Sequence, residues 1–167
     1  MRALAAASAF AAALVAFAAA APADEHECTR DAAGFAGVKV VGAFAYDRGC
    51  AWQSYLLAGK PHSLLDASAL LAREGWATAD GAARQALAQR YVVGVMLTDV
   101  GGTAENDLGT DYTPPAATAG AGGLITVTAW NRLPPGMRPV RRYALHEVRF
   151  GPDGNVKAAR IVRTISR

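Results

Sequence analysis

The chain has 167 residues, 17 of them basic and 14 acidic, and a formal charge of +3. That length holds one compact domain with a real core. No run of Lys or Arg exceeds Arg141-Arg142 and no aromatic ladder separates the basic residues, which excludes a nucleic-acid binder.

The first stretch has the pattern of an export signal. Met1-Arg2 supplies a charge, residues 3–20 are uncharged and dominated by Ala, Leu, Phe and Val, and Ala21-Pro22-Ala23 sets small residues where a signal peptidase reads. A signal peptide over 1–23 is expected, leaving a single α+β domain over 24–167 that is secreted or periplasmic. The competing reading is an uncleaved anchor, because an apolar stretch of this length just reaches across a bilayer. The small-residue junction and the abrupt acidic start favour cleavage. No other long apolar segment follows, so no transmembrane segment is expected after signal removal.

Cleavage after Ala23 makes Asp24-Glu25-His26 the new terminus. A histidine in third position resembles the amino-terminal copper- and nickel-binding motif of serum albumins. The resemblance implies Cu(II) or Ni(II) held in a plane by the free amine, two backbone amides and the His26 imidazole, a nitrogen set that suits both metals. Cys28 and Cys50 are the only cysteines. In an oxidising compartment the pair reads as one disulfide, which closes a loop of about 23 residues and adds roughly 3 kcal/mol. A metal thiolate pair or a redox dithiol is the alternative, but no C-x-x-C spacing supports either.

Residues 38–46 form an apolar run of valines and aromatics, read as a buried strand. D-R-G at 47–49 signals a turn, and residues 50–57 return as a second strand of a hairpin. G-K-P-H at 59–62 reads as a loop. S-L-L-D at 63–66 resembles a capping box, with Leu64, Leu65, Leu70 and Leu71 filling a helical stripe up to Gly75. Thr78 or Asp80 can cap a second helix, in which Ala83, Leu87, Tyr91 and Val95 recur every fourth residue up to about Leu97.

Residues 101–123 are rich in Gly, Pro, Thr and Ala without a visible period, and a flexible loop is expected there. Its acids Glu105, Asp107 and Asp111 lack the spacing of a calcium loop. Residues 124–130, 139–150 and 156–165 then read as strands, the last two joined by a G-P-D-G turn. A regular register from that turn sets Phe150 against Val156, Val148 against Ala158, His146 against Arg160, and Ala144 against Val162. This face is the more apolar and should meet the helices. The whole predicts an α+β fold: an N-terminal strand pair, two helices, and a C-terminal antiparallel sheet of about three strands packed on the helices. Nuclear-transport-factor-2-like and cystatin-like architectures are of this kind, by analogy only.

Charge is unevenly placed. Residues 24–131 carry 7 basic and 12 acidic side chains, whereas residues 132–167 carry 9 and 2. Either an anionic surface is the partner, or the two segments neutralise each other within one fold. His146 and Arg160, opposed on an apolar face, are the expected ligand-binding pair, lining a pocket or lying at an exposed edge. His146 is also the one catalytic candidate, as an acid or base, if a carboxylate such as Asp99 stands beside it. The leading expectation is a non-catalytic module binding a small ligand or a protein partner. A small enzyme with a cone-shaped pocket at His146, and Cu(II) or Ni(II) binding by Asp24, Glu25 and His26, are the alternatives. A deep pocket with His146 beside a carboxylate would favour the enzyme. A shallow sheet with Arg141, Arg149, Lys157 and Arg163 exposed would favour a partner surface.

Overall fold

The computed structural model describes residues 26–45, 49–97, 102–133 and 140–167. The expected leader, Asp24, Glu25 and residues 46–48, which include the first two residues of the expected 47–49 turn, lie outside them. β1 (His26–Asp31), β2 (Lys39–Ala45), β3 (Gly49–Leu57) and β4 (Lys60–Ser63) form one antiparallel sheet in that order. α1 (Ser68–Arg73) and α2 (Gly81–Tyr91) follow, and α2 runs on into a π turn over Val92–Met96. After α3 (Gly102–Leu108), a second antiparallel sheet is built from β5 (Ala116–Ala119), β6 (Ile125–Arg132), β7 (Arg142–Phe150) and β8 (Val156–Ser166), again in chain order. The fold is therefore α+β, with N-terminal strands, two packed helices and a C-terminal antiparallel sheet. Among the described residues each sheet has four strands, where a pair and about three were expected. Among the described residues no helix is long and apolar enough to cross a membrane.

The two sheets share one core because α2 and its π turn bury apolar side chains against both. Leu87, Tyr91, Val92 and Val95 meet Val40 and Tyr55 of the first sheet and Val127, Val148 and Phe150 of the second. Asp80 starts α2 by accepting the Ala83 backbone N–H at 2.8 Å, as the sequence suggested. Leu87, Tyr91 and Val95 are buried at their fourfold spacing, while Ala83 is exposed at the first turn.

Cys28 and Cys50 are joined by a disulfide between β1 and β3, their Cα atoms 6.4 Å apart across the intervening β2. Gly42 of β2 faces Cys28 in register, next to a β2–β3 bulge. A Cβ on Gly42 would lie 2.5 Å from the Ala51 carbonyl oxygen, so glycine is what lets these strands approach this closely.

Three local expectations need correction. Residues 60–63 are a strand, not a loop. Ala58 (φ 49°) and Gly59 (φ 77°) form a two-residue turn between the paired Leu57 and Lys60, and its left-handed backbone matches the strand twist. The first helix starts at Ser68, well after Ser63. The Ser63 hydroxyl accepts the Leu65 N–H at 3.2 Å in a local turn, Leu65 is 54% exposed, and the Asp66 carboxylate accepts the Ser68 hydroxyl at 3.0 Å. At its other end Gly75 (φ 88°) closes the helix as expected, with Trp76 N–H donating to the Leu71 carbonyl and Gly75 N–H to that of Ala72. Finally, the stretch 101–123 is not a structureless connector: α3 and β5 lie within it. Ala104 and Leu108 of α3 bury themselves against Trp130 and Tyr143, a contact too short to show as a period in sequence.

Candidate functional site

The second sheet places both candidate residues, on opposite faces. Phe150 opposes Val156 as expected, but Arg149 opposes Ala158, Glu147 opposes Arg160, His146 opposes Ile161 and Ala144 opposes Thr164. Two bulges on β8 cause the shift, with Lys157 and Val162 the extra residues. The first has a local cause. Gly151 has no side chain, so Lys157 folds back over it and donates to the Asp153 carboxylate at 2.7 Å; a Cβ on Gly151 would meet the Lys157 side chain at 2.4 Å. The ammonium holds the Asp153 carboxyl down at about 2. The His146–Arg160 pair is therefore not formed. Slipping one residue sends Arg160 to the other side of the sheet.

His146 stays on the core side, in register with Ala129 and Ile161 and one pleat from Val148. Its Nε2 is buried and has no hydrogen-bond partner among the described residues. Burial lowers its pKa. Glu147 points to the outer face and pairs with Arg149 and Arg160, so it does not serve His146. Asp99 lies outside the described residues. A hollow of about 300 Å³ beside α2, lined by Ala86, Gln89, Arg90, Val93 and Pro115, does not include His146. An acid–base pair at His146 is thus not assembled from the described residues.

The folded state binds the His146 proton more weakly than the unfolded chain, whose imidazole titrates near 6.5. Stability from this group is full above that pH and falls as the pH drops below it, because the unfolded state then takes up the proton first. His146→Gln is expected to flatten the loss of unfolding free energy between about pH 6.5 and 5, measured by urea titration at each pH. An unchanged slope in the variant would show that His146 is solvated.

The outer face is read from the strand register. Thr126, Arg149 and Ala158 share one row; Thr128, Glu147 and Arg160 the next; Trp130, Leu145 and Arg163 the third; Arg132, Tyr143 and Ile165 the fourth. α3 and the turn after it cover the last two rows, with Leu108 and Tyr112 against Trp130, Tyr143, Leu145 and Ile165. Acids from this segment reach the basic strands. Asp107 accepts from the Tyr143 hydroxyl and takes two bonds from Arg141 at 2.9 and 3.0 Å. Asp111 accepts from Arg163 and Arg167, each at 2.6 Å. The Tyr143 bond and then Arg141 lower the Asp107 pKa, and Arg163 does most for Asp111. So part of the uneven charge is neutralised within the fold, and Asp107 and Asp111 are engaged by arginines. Among the described residues no three His, Cys, Asp or Glu side chains gather as a metal site. Of the N-terminal copper triad only His26 is described, as the first residue of β1.

One polar cluster escaped the sequence reading. His62 stacks on Tyr55 with ring centroids 5.2 Å apart, and its Nδ1 lies 3.4 Å from an Asp66 oxygen. The Tyr55 hydroxyl donates to the Asp66 backbone carbonyl. The spacing His62-Asp66 was the available signal, hidden by assigning His62 to a loop. Ser68 donates to Asp66 and not to His62, so no serine–histidine relay forms. Comparison with known proteins returns no matching family model, curated protein or solved structure.

Proposed function

We propose that the chain is an exported, non-catalytic interaction module whose contact surface is the basic outer face of the second sheet. One observation carries this reading: among the described residues, cations on that face outnumber the carboxylates that hold them. Glu147 is shared by Arg149 and Arg160, and Asp111 by Arg163 and Arg167. Arg141, Arg149, Lys157 and Arg163 remain 56%, 48%, 49% and 53% exposed at their side chains. Such a surplus on a shallow sheet favours an anionic partner and accelerates its approach. Export is supported by the leader pattern and by the Cys28–Cys50 bond, which persists in oxidising compartments.

Immobilised polyglutamate tests the surface. Retention is expected at low salt and should fall as ionic strength rises. Reversing Arg149, Lys157 and Arg163 to glutamate should weaken it by about tenfold or more. Retention that survives the triple reversal, or equal retention on polylysine, would refute the reading.

A further inference from the structure

Resting on that reading, we infer that β8 takes an extended acidic segment of another protein as an added strand, with carboxylates on one side and apolar side chains on the other. Among the described residues β8 pairs with β7 alone, so no described strand borders its far edge. From Lys157 to Thr164 every residue is exposed. The two sides of this edge differ in chemistry. Ala158, Arg160 and Arg163 lie on the outer side; Ala159 and Ile161, the latter 52% exposed, lie on the inner side.

The bulge at Val162 creates this division. In an unbroken strand residues 160 and 163 would face opposite ways. The extra residue turns Arg163 to the same side as Arg160, where its guanidinium reaches Asp111 and sits 5.9 Å from the Trp130 ring. The Arg160 and Arg163 side chains are 59% and 53% exposed, and each shares its carboxylate with a second arginine. Each therefore keeps charge and N–H donors for an incoming carboxylate. A strand added at the edge gains backbone hydrogen bonds along the runs 158–161 and 163–166 and is selected by its alternate side chains. A second copy of this chain is a poor occupant, because an antiparallel β8–β8 contact crowds the Arg160 and Arg163 guanidiniums of both copies together.

A capped peptide of alternating glutamate and valine, titrated by fluorescence anisotropy, tests the inference on the disulfide-intact chain. Saturable binding is expected, with slowed amide exchange confined to β8. Arg160→Glu with Arg163→Glu should weaken binding by about tenfold or more, and Arg160→Gln with Arg163→Gln by less. Methylating alternate peptide nitrogens should abolish it. Binding that tolerates the methylation, equal binding of a lysine–valine peptide, or concentration-dependent self-association lost in the same variants would overturn the inference. If polyglutamate is retained while the alternating peptide leaves β8 exchange unchanged, the added strand is refuted and the basic-face reading stands. If polyglutamate is not retained, that reading falls with it.

Discussion

Tyr91→Ala is expected to lower the unfolding free energy by about 4 kcal/mol and the melting temperature by roughly 12–15 °C. Tyr91 is fully buried at the end of α2. Its ring meets Phe35, Tyr55 and Phe150 edge-on, at centroid distances of 6.3, 6.1 and 6.0 Å. Phe35 and Tyr55 come from the first sheet's side of the core and Phe150 from the second, so one side chain ties both sheets to the helix. Truncation opens a cavity among groups that cannot all collapse into it, and it removes three edge-to-face contacts. The hydroxyl is a smaller part. It donates to the Leu64 carbonyl at 2.9 Å, so Tyr91→Phe should cost only about 1 kcal/mol. Burial raises the Tyr91 pKa and pushes Tyr55 up to about 12, so both phenols remain donors at neutral pH. Their stabilisation is intact below pH 10, where an unfolded tyrosine begins to ionise, and is lost as the pH climbs toward 12. Urea titrations of the three proteins at neutral pH check the ordering. A loss below about 2 kcal/mol for Tyr91→Ala would mean that the sheets hold together without it.

The role of Tyr91 was half visible in the sequence, and the reason is general. The fourfold spacing of Leu87, Tyr91 and Val95 named the buried stripe of α2 and its π turn, because helical periodicity is set by local geometry. Asp80 was legible as a cap and G-P-D-G as a turn, in which Gly154 takes a φ of 79°. These are features within a few residues of one another. The strand register was not legible in the same way. Phe150 and Val156 follow from the turn, but Lys157 leaves the ladder because Gly151 makes room for it, and Val162 leaves it where Arg163 turns to Asp111. The second of these depends on a residue fifty-two positions away. The uneven charge was legible as a choice between internal neutralisation and an external partner. The fold uses both: Asp107 and Asp111 return to the basic strands, and the two-to-one sharing at Glu147 and Asp111 leaves cations over.

Arg30 is the clearest case of a residue whose task is invisible in sequence, and Arg30→Met is expected to cost about 3 kcal/mol, with a melting temperature lower by roughly 10 °C. The side chain leaves β1 and donates to the carbonyls of Gly94, Val95 and Leu97 at 2.8, 2.9 and 2.9 Å. These belong to the end of the π turn, where backbone acceptors have no partner inside the helix. A guanidinium fits because its planar fork can serve several acceptors at once and its charge answers the negative end of the helix. It also lies 5.1 Å from the Trp52 ring. Burial lowers its pKa, but an arginine at this site stays charged at any pH where the fold exists. Lysine keeps the charge and loses the fork, so Arg30→Lys should recover less than half of the loss. Gly94 belongs to the same junction from the other side. A Cβ there would sit 2.1 Å from the Ala33 carbonyl oxygen, in the loop that follows β1. Gly94→Ala must therefore move either that loop or the π turn, and either movement breaks the Arg30 contacts. The two substitutions act on one structure and should cost less together than the sum of their separate effects, read by a double-mutant cycle in urea. Strict additivity, or a loss under about 1 kcal/mol for Arg30→Met, would show that water satisfies those carbonyls and that Arg30 is only a surface cation.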